Sequence, residues 1–120
     1  RRAAPLGATA CKAAAGALER LPVALVSSVA QAVADLGRLG IWTVGLEAGA
    51  ECSLFGLDLL AAPVAIVVGS EGRGLAPLVA ERVEVRASIP LGGGVESRNA
   101  AVAVSLACYE VSRVRAARRE

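Results

Sequence analysis

Dense apolar runs alternate along this chain with stretches in which apolar residues recur every three or four positions, and glycine or proline stands at most of the joints. Cys11 to Leu18 is alanine-rich and predicts a helix ending near Leu21-Pro22. Pro22 to Val26 reads as a short strand. Ser28 is a natural N-cap for a helix over Val29 to Leu39, where Ala30, Val33, Ala34 and Leu36 approach helical spacing. Ile41 to Leu46 is the next predicted strand, and Glu47 to Leu60, with mixed signals, predicts a loop with at most a helical turn. Val64 to Val68 is apolar throughout, as a parallel strand covered on both faces should be. Leu75 to Glu81 predicts a short helix that tolerates Pro77 in its first turn. Val83 to Ile89 predicts another strand and Asn99 to Ala117 a last helix.

From Ala100 to Tyr109 that helix carries a single polar side chain, Ser105, and so is expected to be buried nearly all round, by the same chain or by a partner subunit. The order of elements predicts an α/β domain with a mainly parallel sheet and helices on both faces. Ligands belong outside the C-terminal ends of such strands.

Composition narrows the function. The chain has 120 residues, 55% hydrophobic and 2% aromatic, which suits one domain with a real core. Mean hydropathy of +0.57 raises the question of a membrane. The longest clean apolar run, Leu59 to Gly69, is about half the roughly 20 residues a spanning helix needs and contains Pro63, so the chain reads as soluble with no membrane partner. No secretory leader is visible behind Arg1-Arg2. The chain has no methionine, even at position 1, and is therefore expected to be part of a longer polypeptide.

Cys11, Cys52 and Cys108 have no metal-ligand spacing, and histidine is absent, so no metal site is expected and Ser-His-Asp or Cys-His catalysis is excluded. Free thiols suit a reducing cytoplasm, with Cys108 read as a core residue. Net charge is +2, and Arg113, Arg115, Arg118 and Arg119 read first as a solvated basic helix end and second as phosphate contacts.

Two glycine-rich loops carry the candidate chemistry. Gly69-Ser70-Glu71-Gly72-Arg73-Gly74-Leu75 follows one predicted strand, and Ile89-Pro90-Leu91-Gly92-Gly93-Gly94-Val95-Glu96-Ser97-Arg98-Asn99 follows another. The first has spacing G-x-x-G-x-G, neither a dinucleotide fingerprint nor a P-loop, and the only lysine is Lys12. Glu71 would repel a phosphate, and suits a ribose hydroxyl, an amine or an arginine. A tight turn alone would also account for these glycines. In the second loop Ser97 or Asn99 can cap the last helix, yet three consecutive glycines are costly to order without a ligand.

Together these two segments resemble the second and third motifs of the SpoU family, RNA ribose 2′-O-methyltransferases of the SPOUT superfamily. Lys12 to Val23 also resembles the stretch ahead of the core in members that modify 23S ribosomal RNA, so the likeness spans essentially the whole chain. The resemblance implies a trefoil-knotted α/β fold and a homodimer built through the C-terminal helix. It implies S-adenosylmethionine held by the knot loops and RNA as substrate, ribosomal ahead of transfer. By motif position Gly69, Gly74, Ile89, Leu91 and Arg98 belong to the cofactor, and Glu71, Ser97 and Asn99 to the place where ribose and methyl donor meet.

Departures from the family pattern carry expectations of their own. Its first motif, Asn-x-Gly-x-x-x-Arg, is not found in these residues, so the chain resembles the C-terminal part of the methyltransferase domain. Taken alone it is expected to bind cofactor poorly and not to turn over. Ser97-Arg98-Asn99-Ala100-Ala101 stands where the family usually has Ser-Leu-Asn-Val-Ser, which points to weakened activity or altered specificity. Two other readings compete: a catalytically silent knotted module that binds RNA or dimerises, and an unrelated α/β nucleotide-binding domain.

Overall fold

The computed structural model describes residues 21–70, 73–91 and 99–119. The expected helix from Cys11 to Leu18 lies outside them, as do residues 92–98, on which the expected knot depends. Helix α1 (Val29–Arg38) begins where the sequence predicts, with Ser28 Oγ accepting from the Gln31 N–H at 3.1 Å. Strand β1 (Trp42–Leu46) follows and lies inside the sheet. It pairs in parallel with β3 (Val64–Val67), Trp42 opposite Val64, and with β4 (Val85–Ser88), Val44 opposite Val85. A two-residue strand β2 (Cys52–Ser53) adds beyond β4, giving the order β2-β4-β1-β3, all parallel.

Strand periodicity sends alternate side chains to opposite faces. Val44, Leu46, Ala87 and Ile89 form one core with Leu54, Leu60, Ala107 and Val114. On the other face Val67 joins Ala30 and Val33 of α1 and Val79 and Val83 from α2 (Pro77–Arg82) and its end. Helix α3 (Ala100–Arg118) and a 3-10 turn at Asp58–Ala61 thus cover one face, and α1 and α2 the other. The expected α/β class, parallel sheet and two-sided cover are all present.

Three expectations need correction. Pro22 to Val26 is not a strand. It has no place in the sheet, and Val23, Leu25 and Val26 are exposed. Strand propensity depends on a pairing partner, and no described strand offers one here. The stretch from Glu47 to Leu60 holds β2 as well as the 3-10 turn, a strand too short to show a period. Third, this chain does not itself bury α3 nearly all round, which removes the first of the two alternatives given for its cover and leaves the partner subunit. In its first half only Ala107 is buried, while Val102 is 46% and Tyr109 68% exposed. A straight helix offers one face to a sheet, and the opposite face carries Ala101, Val102, Cys108 and Tyr109 out to the surface. Cys108 is accordingly an exposed free thiol, not a core residue. No described helix is long and apolar enough to cross a membrane.

Three of the four arginines at the basic end of α3, Arg113, Arg115 and Arg118, have partners within the chain. Arg115 donates to the carbonyls of Leu60 and Ala62 at 3.1 and 2.8 Å, tying the helix to the end of the 3-10 turn. Arg118 lies 3.1 Å from Asp58. Glu110, only 4% exposed, accepts two hydrogen bonds from Arg113 and one from the Gly56 N–H at 2.6 Å. The Arg113 guanidinium holds this carboxyl below the usual carboxylate range, against an opposing push from burial. A depressed pKa in the folded state adds stability above the unfolded-state value, and that stability is lost as pH falls through the folded value. Glu110→Gln should therefore cost about 1 kcal/mol at neutral pH. In thermal melts from pH 7 to pH 3, the gap between wild type and variant should close on the acid side; a gap independent of pH would refute the role of the charge.

Candidate active site

Strands β1, β3 and β4 end on the same side of the sheet, as parallel strands joined by crossovers must. Their C-terminal ends open into a cleft of about 370 Å³, within the range of small-molecule sites. Leu46, Glu47 and Ala48 come from the end of β1, and Val68, Gly69, Ser70, Arg73, Gly74 and Leu75 from the first glycine loop. Ile89 comes from the end of β4, and Asn99, Ala100 and Ala103 from the start of α3. The described part of the first motif and the two ends of the second, Ile89 and Asn99, thus meet across one cavity.

The first loop folds back on itself. Ser70 and Gly74 form an antiparallel bridge, and the Ser70 carbonyl accepts from the N–H groups of Arg73 and Gly74, both at 3.1 Å. Gly69 makes this possible, because a Cβ there would fall inside the Gly74 carbonyl group. Gly74 has φ +72°, a left-handed conformation that costs an L side chain about 1–2 kcal/mol. So one glycine is needed for space and the other for its dihedral angle. The result is a tightly turned rim to which Gly69, Ser70, Arg73, Gly74 and Leu75 all contribute.

Asn99 is the N-cap of α3, its Oδ1 accepting from the Val102 N–H at 3.1 Å. That is the capping role open to it from sequence, but the same residue also borders the cleft. Of the other candidates, Gly69, Gly74 and Ile89 line the cavity, while Leu91 is exposed and is not among the lining residues. Glu71, Ser97 and Arg98 lie outside the described residues.

Sequence reasoning did not single out Glu47, Ser70 or Arg73 as site residues. Glu47 directly follows a central parallel strand, and that position is the signal that marks it. Its main-chain N–H donates to the Ala87 carbonyl at 2.9 Å, and its carboxylate stands 3.6 Å from Arg86, which holds it at the β1–β4 edge of the cleft.

The lining fits a nucleoside better than a polyphosphate. Leu46, Leu75, Ile89 and Ala103 offer an apolar bed for a flat ring, Glu47 can accept from hydroxyl or ammonium groups, and Arg73 is the one cationic side chain among the described lining residues.

Comparison with known proteins agrees with this geometry. A sequence profile described as the SpoU rRNA Methylase family matches residues 1–109. The 23S rRNA (guanosine-2′-O-)-methyltransferase RlmB of Xanthomonas campestris is 39% identical over 114 residues, covering 95% of this chain and 45% of that protein. An uncharacterized tRNA/rRNA methyltransferase of Mycobacterium avium is 40% identical over 115 residues, 96% of this chain and 37% of its own length. The chain thus spans less than half the length of these relatives. Among solved structures, the SpoU methyltransferase AviRb from Streptomyces viridochromogenes, in complex with the cofactor AdoMet, superposes with a TM-score of 0.80 at 27% identity, over 92% of this chain and 45% of that one. By its motifs, its cleft and these matches, the chain belongs to the SpoU rRNA Methylase family.

Proposed function

We propose that the full-length protein transfers a methyl group from S-adenosylmethionine to a ribose 2′-hydroxyl of RNA, and that the cleft holds the cofactor. The observation that carries this reading is the meeting of the first glycine loop with Ile89 and Asn99, the two ends of the second motif, around one cavity at the strand ends. AviRb, which superposes on this chain, was solved with AdoMet, and that supports the choice of cofactor. When bound, S-adenosylmethionine supplies an electrophilic sulfonium methyl.

This chain's part is to position. The main chain of the first loop and Ile89 bound the pocket, and Asn99 stands at the entry of α3 where an incoming hydroxyl can be oriented. Holding nucleophile and methyl in line is worth several orders of magnitude in rate. By motif, Glu71 and Ser97 belong to the reacting group and Arg98 to the cofactor's surroundings, while Leu91 stands outside the cleft. The family's Asn-x-Gly-x-x-x-Arg pattern is not found in these 120 residues. The name of the Xanthomonas relative favours ribosomal over transfer RNA. The exposed outer face of α3, with Val102 and Tyr109, is suited to a second copy in a homodimer.

Calorimetry of the full-length protein should show S-adenosylmethionine binding between about 1 μM and 1 mM, and labelled methyl should pass to RNA. Absence of binding at millimolar cofactor would refute the cofactor reading. Binding without transfer would favour the second reading, a silent RNA-binding or dimerising module. Ala101, which removes a hydroxyl from the first turn of α3, is the residue that favours it.

A further inference from the structure

Most arginines described in this protein are committed to the fold. Arg38 pairs with Asp35, Arg86 with Glu47, Arg113 with Glu110 and Arg118 with Asp58, and Arg115 is spent on two carbonyls. Arg73 differs. Its main-chain N–H is fixed on the Ser70 carbonyl, but its guanidinium has no hydrogen bond or ion pair among the described residues, and it is exposed on the wall of the cleft. Arg82 and Arg119 also have no such partner, but neither lines the cavity. A guanidinium anchored at its main chain, open at its head and placed at a cavity wall is a preformed anion contact.

Which anion it meets follows from the substrate chemistry, and here the inference rests on the reading of the cleft as a ribose methylation site. Every ribose within RNA is flanked by two phosphodiesters. A 2′-hydroxyl brought to Asn99 therefore brings two anions to the rim of the same cavity. We infer that Arg73 grips the RNA backbone, binding a phosphodiester next to the nucleotide whose ribose enters the cleft. The contact is made by a side chain and not by the glycine main chain, so the loop need not act as a phosphate cradle. It fixes register on the strand without reading a base.

The test uses the full-length protein with Arg73→Ala and Arg73→Lys, a 23S ribosomal RNA transcript and a transfer RNA transcript in parallel, and separate calorimetry with S-adenosylmethionine. For whichever RNA the wild type binds, Arg73→Ala should weaken binding roughly 10-fold at moderate salt. It should also reduce the slope of log affinity against log salt by about 0.7–0.9, the value of one phosphate contact. KM for RNA should rise with kcat little changed, cofactor affinity should stay within about twofold, and Arg73→Lys should restore most of the salt slope as a point charge does.

Unchanged salt slopes with methyl transfer intact would overturn the assignment of Arg73 alone. Loss of cofactor affinity in Arg73→Ala would overturn it differently, by giving the guanidinium to the carboxylate of S-adenosylmethionine. A wild type that binds neither RNA would overturn the methyltransferase reading, and this inference with it.

Discussion

Gly69→Ala should abolish measurable binding of S-adenosylmethionine while leaving a folded protein. A methyl group at this position cannot be accommodated by a rotamer change, because what it meets is backbone: the carbonyl of Gly74 and the N–H of Leu75. The loop must open, breaking the Ser70–Gly74 bridge and moving Ser70, Arg73 and Leu75 away from the cavity together. Overpacking of this kind costs about 1–3 kcal/mol of stability, and displacing a binding wall by about 1 Å is enough to cost roughly 100-fold in function. Gly74→Ala is the informative companion. Nothing lies within 4 Å of its added Cβ, so its penalty is the left-handed dihedral alone, and Gly74→Asn should recover much of the loss. Calorimetry and thermal melts on the three variants should give the order Gly69→Ala worst, Gly74→Ala intermediate, Gly74→Asn mildest. A Gly69→Ala protein with cofactor affinity within threefold of wild type would sink the argument.

That contrast bears on what the sequence could and could not convey. Glycine spacing marked the first loop as unusual, but it could not separate the glycine needed for space from the one needed for its angle. That distinction arises only when residues 69 and 74 are brought together. The strands were legible for a plain reason: Val64–Val67 is an unbroken apolar run bounded by Pro63 and Gly69, even though as an edge strand it is fully buried only at Val67. The start of α3 was legible because Asn99 is a capping residue ahead of a long helical run.

Hydropathy misled where the question was what covers a face. The apolar character of Val102, Cys108 and Tyr109 was read correctly, yet their exposure depends on surfaces other than their own helix. Glu110 shows the converse. A Glu and an Arg three apart usually form a solvated pair of small worth. Here the carboxylate is buried because a third partner, the Gly56 N–H, arrives from a loop 54 residues earlier. Pairs of that sequence separation leave no local trace. Within the cleft Gly69, Gly74, Ile89 and Asn99 were recoverable from motif position, whereas Glu47 was not, since its place depends on which strand ends lie side by side.

Asn99 is where the two kinds of reading can be separated by experiment. Asn99→Ala removes both a helix cap, worth about 1 kcal/mol, and a carboxamide at the cleft, so loss of activity in that variant alone proves little. Asn99→Asp and Asn99→Ser keep an oxygen able to accept from the Val102 N–H at the start of α3. If the residue only caps, both replacements should transfer methyl groups nearly as well as wild type. If it orients the ribose hydroxyl, both should hold their melting temperatures close to wild type and yet lose roughly 100-fold in kcat, as expected when a reacting group is no longer held in line. Asp should be no better than Ser, since a carboxylate replaces the donor end of the amide with a second acceptor. Cofactor binding should survive in both, which separates failure to present the hydroxyl from failure to build the pocket. Near-normal turnover in Asn99→Ser would assign the residue to the helix alone and move the positioning of ribose to Glu71 or Ser97.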